Sequence, residues 1–482
     1  MGLLGILIAL GLLIWFAYRG WSVLLLAPAA AILAAALAGE LLLAHWTQTF
    51  MESAARFVAQ FFPIFLLGAL FGKLMEDSGS VTSIAKYMTE RLGPERAVLA
   101  VVLAGAIVTY GGVSLFVAFF VLAPMAHQLF RSAAIPRRLM PAAIALGTTT
   151  FTMSALPGTP AIQNAIPMPF FGTTPFAAPG LGIIAALVMF GFGMWWLARA
   201  ERSARAKGEG YGEEAPQENA TEDLIVRERA TTASTFDPPE AVHGRPSEAG
   251  PPIALAALPL VIVVAVNLLM SLFVLPRLDA SFLAKEEWGS TSLAAVGGVW
   301  AVVTALFCAI VVLIAINHRR LPALRDSMDA GANASVLPVV SVASLVGFGS
   351  VVAALPAFAM VREWVLGIEG GPLVSLAVAT NVLASLTGSA SGGLTIALDA
   401  LGATYLKIAH EQGIDPGLLH RVAVIGAGTL DSLPHNGAVV TLLAVCNSTH
   451  RESYLDIVMV SIVGGLLALA AVIILGCAVG SF

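Results

Sequence analysis

In the stretch GAGTLDSLPHNGAVVTLL, residues 426–443, Asp431 and His435 stand four residues apart beside Pro434 and Asn436, inside a run otherwise apolar enough to lie in a bilayer. Ionisable groups at that depth are costly and commonly serve as proton relays or cation sites. A spacing of four makes the two side chains face one another if the turn between them is helical. Asp399, in another apolar segment, is a further candidate for proton coupling. Hydroxyls and glycines crowd three other interruptions: Thr109, Tyr110, Gly111, Gly112 and Ser114 in TYGGVS; Thr387, Ser389, Ser391, Gly392, Gly393 and Thr395 in and after TGSASGG; and Thr148, Thr149, Thr150, Ser154, Gly158 and Thr159 in the stretch 148–164. None of the four stretches contains Lys or Arg.

Half-helix N-termini carry unpaired amides and partial positive charge, so they bind anions without a buried cation. Serine and threonine hydroxyls suit a carboxylate that itself bears hydroxyls, and glycine lets backbone approach a ligand closely. The expected substrate contacts are therefore Thr109, Tyr110, Gly111, Gly112, Ser114, Thr149, Ser154, Gly158, Thr159, Ser389, Ser391, Gly392, Gly393 and Asn436. Asp431, His435 and Asp399 are the expected coupling groups. The same small residues also serve plain helix packing in membranes, so the constellation carries more than any member. Lys73 and His127, near segment ends, are expected to snorkel.

The elements that must position these residues follow from composition. The chain has 482 residues, 58% hydrophobic and only 11% charged, with mean hydropathy +0.87, which marks an all-α polytopic membrane protein. At about 20 apolar residues per crossing, ten spans are expected near 2–18, 21–43, 56–75, 139–156, 180–198, 253–276, 292–316, 331–357, 420–446 and 454–478. The first lacks the basic start and cleavage site of a signal peptide and is expected to remain a helix. The three cysteines lie singly in apolar segments, with no spacing that suggests a metal. Charge gathers in 199–252, which reads as a disordered cytoplasmic linker between a first membrane repeat, 1–198, and a second, 253–482.

The halves echo one another. Gly112 and Gly393, Pro136 and Pro416, Gly147 and Gly428, and Pro157 and Pro434 recur in order at offsets of 277 to 281 residues. Placing the basic loops on the cytoplasmic side makes 97–130 enter and leave on one side as a re-entrant hairpin, and puts a second hairpin, 372–408, on the opposite side. Each precedes a helix broken at proline, 139–175 and 420–446. Inverted repeats with hairpins and broken helices are the architecture of secondary transporters, in which irregular backbone at membrane depth lines a cavity. All four breaks are expected to converge on one midplane site.

Alternatives fall in different classes. Unwound carbonyls beside Ser, Thr and Asn would also ligate sodium. An enzyme is disfavoured, because GSASGG puts Ala390 at the central position of a nucleophile elbow and HExxH is absent. A passive channel makes poor use of two hairpins.

GALFGKLMEDSG (68–79), LPGTPA (156–161), TGSASGGLTIA (387–397) and the closing broken helix resemble the gluconate:proton symporter family of permeases, within the ion transporter superfamily. The resemblance implies proton-driven uptake of a sugar acid or other hydroxy acid by a homodimer in a bacterial inner membrane, without cofactor or nucleic acid. The sequence departs from that family at Gly111 and Gly112, where an acidic residue usually follows the tyrosine. It departs again at Leu156, which replaces a histidine, and in placing Asp431 ahead of His435 and Asn436. Asp431 or His435 would then take over the protonation of the missing acid.

Overall fold

A computed structural model describes residues 2–18, 21–212, 250–434 and 436–482 of the chain. His435 and most of the expected linker, 213–249, lie outside the described residues. Among the described residues every regular element is helical. The first half runs α1 (Gly2–Tyr18), α2 (Val23–Ala38), α3 (Leu42–Asp77), α4 (Ser80–Leu92), α5 (Ala97–Tyr110), α6 (Leu115–Ser132), four short helices α7 (Met140–Thr148), α8 (Phe151–Ser154), α9 (Ile162–Ala165) and α10 (Pro167–Phe171), and α11 (Pro179–Ala206). The second runs α12 (Ile253–Arg277), α13 (Leu293–Asn317), α14 (Leu324–Ala354), α15 (Phe358–Leu366), α16 (Gly371–Thr387), α17 (Ala390–Gln412), α18 (Pro416–Thr429), α19 (Gly437–Val445) and α20 (His450–Val479).

Seven helices, α3, α6, α11, α12, α13, α14 and α20, are long and apolar enough to cross a membrane alone. The other expected spans fall on the shorter α1 and α2 and on the two broken segments. Large apolar side chains such as Leu7, Trp15, Leu187 and Ile474 stand exposed, as lipid-facing helix surfaces require. Sequence dictates the breaks. After Gly93, which takes a positive φ, Pro94 begins a new helical segment at 104° to the amphipathic α4, because a residue before proline avoids the helical region. Pro157 and Pro160, with no amide hydrogen to donate, lie in the gap between α8 and α9.

The order of elements recurs. α5 and α6 form a helical hairpin turning at 111–114, and α16 and α17 form another turning at Gly388 and Ser389. Equivalent neighbours also pack alike: α1 on α2 and α12 on α13, α5 on α7 and α16 on α18, α2 on α14 and α13 on α3. The helices α3 and α14 lie side by side at the centre of this arrangement. Lys73 of α3 does not snorkel. It is 4% exposed, 3.0 Å from Asp77 and 3.2 Å from Glu76, while Ser327 Oγ of α14 donates to Asp77 Oδ2 at 2.6 Å. A lone ammonium buried there would be very costly, and the adjacent carboxylates offset that cost. The expected linker also begins later than 199: α11 continues to Ala206, and residues beyond it fold back so that Tyr211 OH lies 2.6 Å from His127 Nδ1, which is therefore engaged and not merely snorkelling.

The second hairpin is closed by Gly393. A Cβ there would sit 2.3 Å from the backbone N and Cα of Ala384 on the opposite arm. Gly393→Ala should lower the unfolding temperature in detergent, since forced overpacking costs about 1–3 kcal/mol. Gly191→Ala, with nothing within 4 Å of the new methyl, should leave it unchanged or raise it. Equal unfolding temperatures for wild type and Gly393→Ala would refute the close packing of the arms.

Candidate functional site

The first hairpin turns against the first broken segment. Thr109 Oγ1 donates within α5 to Gly105 O at 2.8 Å and lies 3.1 Å from Thr152 Oγ1, and Tyr110 OH donates to Pro157 O at 2.8 Å. Gly111 packs on Leu260 of α12. Gly112 has φ +96, a conformation side chains avoid, and a Cβ on it would lie 2.7 Å from Pro160. The turn thus delivers Ser114 to the start of α6 with no side-chain cap over that helix's first amides. Ser154 Oγ bonds Thr150 O at 3.1 Å, Thr159 Oγ1 accepts from Ala161 N at 3.3 Å, and Gly158 O accepts from the buried Asn267 of α12 at 3.0 Å.

Between these elements and the central helices lies a cavity of about 200 Å³, lined by Thr109, Gly112, Ser114, Thr148, Gln163 and Ser335 among apolar residues of α3, α6 and α14. It is smaller than the roughly 300–1,000 Å³ pockets that take drug-sized ligands, so its size suits a small solute. No ionisable side chain lines it. Gln163 is 6% exposed and is held in no hydrogen bond among the described residues, so its amide faces the cavity with both donor and acceptor capacity. Sequence reading passed over Gln163. The signal was an amide at the start of a short helix right after a double-proline break, AIQN.

The second hairpin and second broken segment meet elsewhere. Ser389 caps α17, accepting from Gly392 N at 3.2 Å and lying 3.1 Å from Ser391 Oγ; both serines are fully buried. After α18 the chain makes a 3₁₀ turn over Leu430–Ser432 and then leaves helical geometry. Leu433 is extended, so the turn is not continued as helix. Asp431 Oδ1 accepts from Asn436 Nδ2 at 2.8 Å. The same Nδ2 donates to Gly388 O at the hairpin turn at 2.7 Å, and Asn436 Oδ1 caps α19 through the amides of Ala438 and Val439 at 2.7 and 3.4 Å. Both amide hydrogens and both lone-pair positions of Asn436 are taken, which makes it a joint between the hairpin turn, Asp431 and α19. Asp431, Ser432 and Asn436 share a crevice with Leu115 and Thr149; Thr149 Oγ1 bonds back to Ala145 O at 3.0 Å. Asp399 is remote from it in bonding terms: its carboxylate accepts from Ser350 of α14.

Among the described residues, the first hairpin turn and first break line the 200 Å³ cavity, and the Asp431 crevice brings Thr149 of the first break beside Asp431, Ser432 and Asn436 of the second. Leu115, the first residue of α6, borders both.

A fixed cation, absent from the breaks themselves, enters from one helix away. Arg421 of α18 is 0% exposed and reaches into the first broken segment. Its Nη2 and Nε donate to Ala177 O at 2.7 and 3.2 Å, and its Nη1 lies 3.4 Å from both Ser154 O and Asn164 Oδ1. No carboxylate pairs with it among the described residues. Neighbouring His420, also fully buried, lies 2.7 Å from Thr173 Oγ1 and 3.2 Å from Asn164 Oδ1, while Asn164 Nδ2 donates to Thr159 O and Pro175 O, both at 3.0 Å. The guanidinium thus satisfies carbonyls that the ended helix α8 and the loop before α11 leave open. HR within LLHRVAVIG was the visible signal, two ionisable residues inside an apolar span.

Known proteins agree with this architecture. The family model described as GntP family permease matches residues 1–192. A Bacillus subtilis (strain 168) protein described as the uncharacterized transporter YxjC is 41% identical over 472 residues, 96% of each chain. The high-affinity gluconate transporter of Escherichia coli (strain K12) is 37% identical over 106 residues, 21% of this chain and 23% of that one. Among solved structures, the Alcanivorax borkumensis YdaH transporter superposes with TM-score 0.53 at 16% identity, covering 90% of this chain and 89% of its own. Neisseria gonorrhoeae MtrF, described with a class of antimetabolite efflux pumps, does so with TM-score 0.55 at 14% identity, covering 91% and 85%. At such identities the two structures speak for the fold alone. The full-length likeness to YxjC and the matching family model go further: this chain belongs to the GntP family of permeases, multi-pass bacterial membrane transporters and not enzymes.

Proposed function

We propose that the chain imports a small hydroxylated carboxylate, gluconate-like acids first and simpler hydroxy acids second, together with protons. The observation that carries this reading is the cavity itself: a polar but uncharged wall of Thr109, Ser114, Thr148 and Gln163, closed on one side by the uncapped first turn of α6. Unpaired amides at the start of an 18-residue helix favour an anion, and the hydroxyls and the free Gln163 amide suit the hydroxyls of the ligand. The partial identity with a gluconate transporter supports the same class.

Coupling in this reading runs through Asp431, set one side chain away from the cavity behind Leu115. Protonating Asp431 weakens the acceptor that holds Asn436, and a proton gradient drives import only if that change alters the affinity of the carboxylate site. Sodium is the second reading. Against it at this crevice, Asn436 Nδ2 already donates to Asp431 Oδ1 and Gly388 O, the oxygens a bare cation would need. The wider frame is two inverted repeats with re-entrant hairpins, in a homodimer as the family likeness implies.

Uptake of labelled gluconate into proteoliposomes tests the proposal under an imposed inward proton gradient, then a sodium gradient, with unlabelled hydroxy acids as competitors. Accumulation driven by protons alone and blocked by hydroxy acids is expected; drive by sodium alone, or indifference to the whole panel, would overturn it. Asp431→Asn should abolish gradient-driven accumulation while counterflow exchange persists, and unchanged accumulation would remove Asp431 from coupling. Gln163→Leu should raise the concentration for half-maximal uptake roughly two- to tenfold, since a hydrogen bond between neutral groups contributes about 0.5–1.5 kcal/mol, with no fall in unfolding temperature. Unaltered uptake would take Gln163 out of the site.

A further inference from the structure

A second cavity lies at the end of the bundle that carries the basic loops. It is about 720 Å³ in volume and is lined by Arg138, Trp195, Trp196, Arg199, Arg202 and Asp456, with Leu455 at its rim. We propose that it holds the headgroup of an anionic phospholipid of the cytoplasmic leaflet, with an acyl chain lying along α11.

Charge is the first support. Three arginines line the pocket against one carboxylate, and that carboxylate is already engaged: Asp456 accepts from Trp196 Nε1 and from Arg138 Nη1, each at 2.9 Å. Arg138 is further held by Glu209, Nε to Oε1 at 2.8 Å. The other two arginines are uncommitted. Arg202 donates only to the backbone carbonyl of Ala198 at 3.1 Å, and Arg199 has no hydrogen-bond or ion-pair partner among the described residues. Both are exposed. Beside Arg138 and its two carboxylates, the side chains of Arg199 and Arg202 pair with no carboxylate among the described residues, and their guanidiniums are suited to a phosphate.

The helix face supplies the second support and distinguishes a lipid from a dissolved anion. Ile183, Leu187, Gly191, Trp195 and Arg199 follow at intervals of four residues and Arg202 three further on, so they form one continuous row on α11 that winds about 40° round the helix at each four-residue step. Ile183, Leu187 and Trp195 are 48%, 64% and 51% exposed, and the space beside Gly191 is open, which leaves a shallow groove. From residue 183 to residue 195 this apolar run is about 18 Å long, enough for the roughly 15 Å of hydrocarbon in one leaflet. Trp195 then falls at headgroup level, where tryptophan concentrates, and the two free arginines lie one and two turns beyond it. An apolar groove leading into a basic pocket at that depth fits a phospholipid; a soluble phosphate would use only the pocket. The site is separate from the transport cavity, but Arg138 immediately precedes the segment leading into α7, whose far end supplies Thr148 to that cavity.

The test uses the intact purified protein, with dioleoylphosphatidylglycerol, dioleoylphosphatidylcholine and inorganic phosphate as probes. Native mass spectrometry counts retained lipid, and thermal unfolding in detergent reads its effect. Phosphatidylglycerol should be retained and should raise the unfolding temperature, and phosphatidylcholine and phosphate should not. The surface variant Arg199→Gln/Arg202→Gln should lose the increment and retain several-fold less lipid, while Arg319→Gln/Arg325→Gln, which removes two exposed basic residues outside the pocket, should behave as wild type. Equal retention by both double variants would overturn the site. An equal, Arg199- and Arg202-dependent increment from phosphate alone would replace the lipid by a soluble anion.

Discussion

Where no water reaches, every peptide group must find a partner inside the protein, and a helix that stops in the membrane leaves several open at once. This chain stops its helices repeatedly and covers the openings with side-chain donors, several of them from far along the sequence. Arg421 covers Ala177 O and Ser154 O, Asn267 covers Gly158 O, Tyr110 covers Pro157 O, and Asn164 covers Thr159 O and Pro175 O. Arg421 and Asn267 belong to the second half, and the carbonyls they satisfy belong to the first. The two halves are thus interlocked by the repair of broken backbone. That is why the irregular segments can be held open at all, and why a cavity can persist between them.

The same constraint explains what could be read from sequence. Hydropathy located the membrane segments, and Pro157, Pro160, Pro434 and the glycines of the two turns located the breaks, because these residues act through local backbone sterics. Partner choice is not local. Asn436's bonds to Gly388, Asp431 and the first turn of α19 cannot be read from its own stretch; Lys73, at a segment end, is buried against Asp77. Arg421 lies inside an apolar run one helix away from the break it serves, and only the packing of α18 on that break brings its cation there. Gln163 was passed over because an amide next to a turn is common, and only its burial without a partner sets it apart.

Separating the cavity from Asp431 has a physical logic. An anion and a carboxylate in direct contact in a medium of low dielectric would repel strongly. Leu115, which borders both, sets an apolar side chain between them. Arg421, buried without a carboxylate partner among the described residues, adds fixed positive charge near the first break and is held there by carbonyl dipoles.

Asn436 couples three things through one amide: the turn of the second hairpin at Gly388, the carboxylate of Asp431 and the first turn of α19. An amide whose every position is used cannot release one partner and keep the geometry of the others, since a freed group buried there is left unpaired at a cost of about 1–3 kcal/mol. Rearrangement at this joint is therefore all-or-none. Hairpin, carboxylate and half-helix belong to a single cooperative unit, in which intermediate positions are penalised and two end states are favoured.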